Sequence, residues 1–217
     1  MSTERIRELK SDSLSFRSVE FLKQFYEYGK IECYEDVLDS VNFTDRMILV
    51  DDISIEVGRS VSGMIQFYNQ MDRQLGLAPE DRKPIKLYVD SNGGNVFAAL
   101  SIIDAIELSE TPVYTINTGT AFSAGCLILV AGHKRFAYPN STFLIHEGST
   151  GAYHDAGKFR NYAHFYEQML DRTKDLLLSK TKITEEQYNE KRNDDWWFFP
   201  EEALELGVCD EIVKSFI

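Results

Sequence analysis

Short apolar blocks alternate with amphipathic stretches along this chain, a pattern typical of strands separated by helices. The blocks predicted to form strands are Met47–Val50, Ile85–Val89, Val113–Asn117, Lys134–Ala137, Thr142–Ile145 and Val208–Val213. Helical spacing fills four of the intervals, at about Val57–Leu75, Val96–Leu108, Cys126–Ala131 and Ala156–Ser179. Because a strand–helix–strand unit recurs three times, the sequence predicts an α/β fold with right-handed crossovers.

The longest predicted helix begins near Ala156 and carries an apolar stripe with a period of 3.6 residues over about six turns. Its members are Phe159, Tyr162, Tyr166, Met169, Leu170, Leu176 and Leu177. Beyond it, Thr184 and Gln187 have the spacing of a capping box, which predicts the start of another helix.

The first 44 residues differ from the remainder, being polar and charged at first and then amphipathic. A short helix is predicted there, with one face formed by Val19, Leu22, Phe25 and Tyr26. The start of the chain has no apolar signal region, and its acidic residues disfavour a transit peptide. We therefore expect a partly helical segment over 1–44 and a single domain over 45–217.

Composition narrows the classes of partner. The chain has 217 residues, of which 43% are hydrophobic, enough for one domain with a full core. Its net charge of −12 disfavours nucleic acid and anionic membranes as partners. The cysteines are Cys33, Cys126 and Cys209, and their spacing is not that of a metal site. An odd number of scattered cysteines is typical of reduced thiols in a cytoplasmic protein.

Ser123 is the strongest candidate for chemistry. It lies among small residues, in Gly119–Gly125, directly before the apolar run that predicts a helix. A helix N-terminus offers free N–H groups and partial positive charge, which favour an oxygen nucleophile. The Gly93–Gly94 turn also follows a strand and precedes a helix, so both turns are expected at one edge of the sheet. Tight packing of small residues is the alternative explanation.

A serine nucleophile needs a base, and the chain has four histidines. His146 is the best candidate because it ends an apolar strand, where its ring can emerge at the sheet edge. His133 is expected in a solvent-facing turn, His154 in a loop and His164 on the long helix. A histidine at a strand end is, however, more often a hydrogen-bonded structural residue.

An acid should orient the imidazole, and Asp194 and Asp195 are both candidates. The aromatic residues that follow them are expected to shield the carboxylate partly from water. Spacing alone does not choose between the two. For the oxyanion, the N–H groups of Gly94 and Ala124 are the candidate donors, because a glycine pair lets the backbone approach closely. An ordinary diglycine turn is the alternative.

Taken in order, four blocks resemble the Clp protease proteolytic subunits, a family of serine peptidases. These blocks are Leu87–Gly94, Gly119–Gly125, Pro139–His146 and Asp195 with Glu202–Asp210, and the resemblance spans about residues 45–215. It implies a ClpP/crotonase-like fold of repeated β-α-β units with a long protruding helix. It also implies that Ser123 is the nucleophile, His146 the base, Asp195 the acid, and Gly94 and Ala124 the oxyanion hole.

The resemblance further implies a serine-type endopeptidase that cleaves peptides or unfolded proteins inside a chamber. The chamber would be a homo-oligomer of heptameric rings, stacked in pairs through the helix that begins at Ala156. An AAA+ unfoldase would feed it and would bind the ATP, since this chain has no phosphate-binding Gly-Lys-Ser/Thr loop. No metal or cofactor is expected.

The sequence departs from the family pattern in three places. Glu147–His154 replaces the usual Gln-Pro and glycine-rich segment after the histidine. Asn193 and Asp194 stand where the family often has an Asp-Arg pair that links the rings. Residues 1–44 do not resemble the family's N-terminal segment, so we expect them to be a divergent segment. These departures support one alternative, a catalytically weak structural or adaptor subunit. A second alternative is a crotonase-like acyl-CoA enzyme of the same superfold, which would use a similar backbone oxyanion hole but would not need a serine nucleophile with a histidine base.

Overall fold

A computed structural model describes residues 42, 43, 45–151 and 155–217. The described residues form a seven-stranded sheet in which the main path runs β1-β2-β3-β4-β7. The strands are β1 (Met47–Val50), β2 (Ile85–Ser91), β3 (Val113–Phe122), β4 (Lys134–Ala137), β5 (Thr142–Ile145), β6 (Trp196–Phe198) and β7 (Glu211–Ile212). All neighbouring pairs are parallel except β5 and β6, which are antiparallel.

The helices of the described residues are α1 (Ile55–Gln74), α2 (Val96–Glu107), α3 (Ala124–Ala131), α4 (Ala156–Lys180), α5 (Glu185–Lys191) and α6 (Pro200–Glu205), with a 3-10 turn at Pro79–Asp81. Helices α1 to α3 connect the successive parallel strands from β1 to β4, as the alternating pattern predicts. The mixed α/β fold with a central sheet is therefore confirmed. Thr184 caps α5 through the predicted capping box, in which Thr184 and Gln187 exchange hydrogen bonds.

Strand β3 is the pivot of the sheet, because its two halves have different neighbours. Its first half, through Asn117, pairs with β4, whereas Thr120–Phe122 pairs with β5. The Asp90 side chain braces the second half by accepting hydrogen bonds from the N–H and the hydroxyl of Thr120, at 2.8 and 3.0 Å. A Cβ on Gly119 would lie 2.5 Å from Asp90 Oδ1, so this bracing requires glycine. Ser123 directly follows this second half of β3.

The main core lies between one face of the sheet and helices α1 to α3. Alternate residues of β2 point into it, with Ile85, Leu87 and Val89 fully buried. Helix α3 contributes Ile128 and Leu129, and most of its length is buried, as its apolar sequence predicts. The opposite face of the sheet carries a smaller cluster around Ile116, Phe136 and Val213.

A buried ion pair joins the start of the sheet to α1, at the end remote from Ser123. Arg46 donates hydrogen bonds to both carboxylate oxygens of Asp72, at 2.5 and 2.7 Å. The Thr111 hydroxyl, just before β3, donates to the same carboxylate at 2.8 Å. Since Asp72 is fully buried, these partners are what keep its charge tolerable inside the protein.

Several predicted boundaries were wrong at the strand ends. Strand β2 runs on to Ser91 and β3 to Phe122, while the final strand is restricted to Glu211–Ile212. Strand β6 was missed, because a three-residue aromatic run gives no periodicity to read. The predicted helix near Val19 and the loop at His154 lie outside the described residues. The described residues include no helix long and apolar enough to cross a membrane.

Candidate active site

Ser123 lies in the turn between β3 and α3. Its N–H donates to the Leu144 carbonyl at 2.9 Å, and its own carbonyl accepts from Cys126 and Leu127 in the first turn of α3. Its backbone has φ 54° and ψ −119°, a combination that residues with a side chain rarely adopt. A strained serine at a strand-to-helix turn projects its hydroxyl from the sheet edge, the arrangement found in serine hydrolases of the nucleophile-elbow type.

The glycine turn after β2 packs against the Ser123 turn, as their shared position at the strand ends predicts. A Cβ on Gly93 would lie 2.9 Å from Ser123 Cβ and 3.0 Å from the Phe122 carbonyl. Gly93 and Gly94 also have φ values of 99° and 145°, which favour glycine. The glycine pair is therefore required both by its backbone conformation and by the approach of Ser123.

Two residues that line the cleft beside Ser123 have backbone N–H groups of interest. These residues are Gly94 and Ala124. Within the described parts of the chain, neither N–H donates to another backbone group. N–H groups left free next to a nucleophile are suited to hold the negative oxygen of a tetrahedral intermediate.

His146 and Asp195 are brought together by the antiparallel pairing of β5 with β6. Ile145 is registered with Trp196, so the residues immediately beyond them face each other. His146 Nδ1 lies 3.1 Å from Asp195 Oδ1, within hydrogen-bonding distance. Phe143 and Phe198 stack on the same strands with their ring centroids 5.3 Å apart, which fixes the register from the core side.

Ser123 and His146 line one cleft of about 400 Å³ between the sheet edge and α4. Its apolar wall includes Leu127, Met169, Leu170 and Leu177. The His146 ring bonds to Asp195, whereas the Ser123 hydroxyl has no hydrogen-bond partner among the described residues. Catalytic hydrogen bonds are often long or absent before substrate is bound, so the lack of a hydrogen bond between Ser123 and His146 is compatible with a serine–histidine pair.

The structure places the two candidate aspartates in different surroundings. Asp195 contacts His146, whereas Asp194 lies in the turn after α5, where its N–H donates to the Lys191 carbonyl at 2.9 Å. The expected partial shielding from water leaves more than half of the Asp195 side chain accessible in the single chain. The Asp195 side chain is 56% exposed, and Trp197 and Phe199 are themselves more than half exposed.

The other described histidines lie away from Ser123. His133 is exposed, as predicted, but its Nδ1 also accepts a hydrogen bond from the Val113 N–H at 2.8 Å. Although the side chain is exposed, partial desolvation of the ring, followed by the nearby Lys180 charge, lowers the pKa of His133, which favours the neutral ring that accepts this hydrogen bond at the start of β3. His164 lies on exposed α4 and faces Glu167.

Sequence reasoning missed a polar cluster next to His146. The Glu147 carboxylate lies 2.9 Å from Arg192 Nε and accepts a longer hydrogen bond from the Tyr188 hydroxyl at 3.5 Å. Burial, and then the charge of Glu147, raise the pKa of Tyr188 to about 12, so the phenol remains a donor. These residues are distant in sequence and share no motif, so only the fold brings them together.

Comparison with known proteins agrees with this architecture. The Clp protease family model matches residues 39–216. The chain is 37% identical to ATP-dependent Clp protease proteolytic subunit 2 of Treponema pallidum over 135 residues, which is 61% of this chain and 68% of that protein. It is 32% identical to proteolytic subunit 3 of Rhodococcus jostii over 189 residues, or 84% of this chain and 88% of the relative. The proteolytic subunit of Deinococcus radiodurans is 32% identical over 171 residues, covering 77% and 83%.

Proposed function

Because this chain belongs to the Clp protease family and is a serine-type peptidase, we propose that Ser123, His146 and Asp195 form its catalytic triad. The proposal rests chiefly on one observation. The strand pairing that places His146 Nδ1 3.1 Å from Asp195 Oδ1 does so at the cleft that also contains Ser123. Gly94 and Ala124 are proposed to supply the oxyanion hole.

In the first half of the reaction, Ser123 Oγ attacks the carbonyl carbon of a bound peptide while His146 Nε2 removes its proton. Asp195 accepts the hydrogen bond from His146 Nδ1 and stabilises the imidazolium that forms. The free N–H groups of Gly94 and Ala124 hold the oxyanion. The tetrahedral intermediate then collapses, the imidazolium gives its proton to the departing amine, and an ester to Ser123 remains.

In the second half, a water molecule takes the place of the departed amine. His146 removes a proton from that water, whose oxygen attacks the ester carbonyl. The same N–H groups hold the second oxyanion, and proton return through His146 to Ser123 Oγ releases the acid product. Every proton passes through one imidazole, so its orientation by Asp195 matters in both halves.

We propose that the working form is a homo-oligomer of heptameric rings, stacked through α4, with the cleft facing an enclosed chamber. The family supports oligomeric assembly and partnership with Clp ATPases, and the named relatives are ATP-dependent proteolytic subunits. Unfolded polypeptides are the proposed substrates, delivered by an AAA+ unfoldase that binds the ATP. The free thiols of Cys126 and Cys209 support a cytoplasmic location.

The two alternatives are not favoured. A crotonase-like acyl-CoA enzyme does not need a serine, a histidine and an aspartate in contact, and the matched relatives are proteolytic subunits. A structural subunit does not need a strained serine beside unused N–H groups. Strain of this kind costs roughly 1–3 kcal/mol and is typically retained where function requires it.

The proposal is tested by active-site labelling of the purified full chain with a fluorophosphonate, alongside cleavage of a fluorogenic peptide. We expect labelling and cleavage by the native protein and neither by Ser123→Ala. A native protein that is assembled, as shown by its mass, yet remains unlabelled would favour the structural subunit instead.

The choice of acid is tested by comparing Asp195→Asn with Asp194→Asn. Loss of the carboxylate that orients the base should lower kcat on the order of 10³–10⁴-fold for Asp195→Asn. Asp194→Asn should change it by less than about twofold, since exposed charges away from the reacting groups are screened. Equal effects of the two substitutions would contradict the assignment.

A further inference from the structure

Glu147 and Arg192 form an ion pair next to the proposed triad that the mechanism does not use. Arg192 Nε lies 2.9 Å from Glu147 Oε1, and a second guanidinium nitrogen donates to Oε2 at 3.5 Å. The buried Tyr188 adds its hydroxyl to Oε1 at 3.5 Å. Both carboxylate oxygens therefore have donors from within this chain.

The pair joins the two segments that carry the base and the acid. Glu147 directly follows His146, and Arg192 lies in the turn between α5 and Asp195. The β5–β6 pairing ends at Ile145 and Trp196, just before the histidine and just after the aspartate. The His146–Asp195 hydrogen bond thus lies between the last strand pair on one side and the Glu147–Arg192 pair on the other.

We propose that Glu147 and Arg192 are positioning residues, whose ion pair holds the segment after His146 against the turn before Asp195 and so fixes the base–acid hydrogen bond. The inference rests on the proposed catalytic triad. It assigns a role to the stretch after the histidine, where the sequence departs from the family pattern.

The exposure of the pair indicates that its role is geometric and not one of global stability. The Arg192 side chain is 43% exposed and that of Glu147 18%, and ion pairs this accessible contribute little to folding. Catalysis is far more sensitive to position, because a displacement of about 1 Å can reduce the rate about 100-fold. Without the pair, the strand register and one exposed hydrogen bond would remain, among the described residues, to orient His146.

The test is steady-state peptide cleavage by the full-length assembled protein carrying Glu147→Ala, Arg192→Ala or both. Each single substitution should lower kcat about tenfold while KM changes by less than about twofold, as expected for a lost orienting contact. The double variant should be no slower than the singles, because both remove the same interaction. Arg192→Lys keeps the charge but loses the planar guanidinium that can donate two parallel hydrogen bonds. Its kcat should therefore lie between those of the native protein and of Arg192→Ala.

A matched control is offered by another ion pair of α5, the helix that directly precedes Arg192. Lys174 and Glu185 form an ion pair at 2.6 Å that ties the first turn of α5 to α4, away from His146. Lys174→Ala and Glu185→Ala should leave kcat within about twofold of the native value, since exposed pairs of this kind contribute little. Native mass and unfolding temperature, measured for every variant, separate misfolding and disassembly from misorientation.

The outcomes are distinguishable. Native kcat in both single variants overturns the inference, as does a rise in KM with kcat unchanged, which would make Glu147 a substrate contact. An equal loss in the Lys174 and Glu185 controls also overturns it, since anchoring of α5 in general would then be the cause. If the native protein cleaves peptide and Ser123→Ala cleaves it equally well, the proposed triad fails and not merely its positioning.

Discussion

At the scale of single residues, Ser123 has a backbone conformation that most residues with a side chain avoid. Three backbone hydrogen bonds hold it there, one to β5 and two from α3. The Gly93 turn leaves no room on the other side, since a Cβ there would lie 2.9 Å from Ser123 Cβ. The surrounding packing therefore maintains a conformation that the residue itself disfavours.

This strain predicts a difference between two inactive variants. Ser123→Gly removes the Cβ that makes φ 54° unfavourable, whereas Ser123→Ala retains it. Relief of strain should outweigh the greater freedom of glycine in the unfolded chain, so the glycine variant should be more stable by about 1 kcal/mol. Denaturant unfolding of both variants at one protein concentration measures this difference. Equal stability, or a more stable alanine variant, would show that the turn is unstrained.

At the scale of secondary-structure elements, the proposed active-site cleft and the buried Arg46–Asp72 ion pair lie at opposite ends of the sheet. Ser123 follows the carboxyl end of β3. Arg46, Asp72 and Thr111 meet near the amino ends of β1 and β3. This network links α1 to two strand beginnings. Its loss should therefore affect folding without changing the chemistry of the cleft.

Arg46→Met should be strongly destabilising, because it leaves the fully buried Asp72 carboxylate without its cationic partner. Breaking one side of a buried ion pair typically costs about 3–5 kcal/mol. Lys83→Ala provides the comparison, since the Lys83–Asp45 pair is exposed and should be worth less than about 1 kcal/mol. Free energies of unfolding measure both, and similar losses would contradict the assignment of Arg46 to the core.

At the scale of the whole molecule, the single chain leaves its proposed acid and its longest helix exposed. Asp195 is 56% exposed, and of the apolar stripe on α4 only Met169 and Leu177 are buried. Phe159 and Phe165 are about half exposed on the same helix. Contiguous exposed apolar surface usually marks an interface, so neighbouring copies are expected to cover these surfaces.

Peptidase activity should therefore depend on assembly. Burying Asp195 against a neighbour would reduce the screening of its charge and strengthen its hold on the imidazolium. We expect specific activity to fall at least about tenfold when the protein is diluted to monomers, on the reasoning that misorientation of the base slows catalysis. Sedimentation velocity and peptide cleavage at matched concentrations test this, and a fully active monomer would rule it out.

Much of the site and fold was predictable because short-range patterns carry it. The strands β1, β4 and β5 have the predicted bounds, since apolar runs ending at turn residues are local signals. Ser123 and the glycine pair were found in the same way, because each turn lies between a predicted strand and a predicted helix. Strand β6 and the full length of β3 were missed, because their pairing depends on partners that are distant in sequence.

The sequence alone determined the α/β order of elements, the turn that presents Ser123, and the histidine and glycines to consider with it. It did so because periodicity, turn residues and helix starts are properties of neighbouring residues. Spacing left Asp194 and Asp195 open, and the family resemblance pointed to Asp195. Only the tertiary structure brought the Asp195 carboxylate within 3.1 Å of His146, gave Ser123 its strained backbone and brought Arg192 to Glu147. These features depend on strand register and on contacts between segments far apart in the chain, which local patterns do not encode.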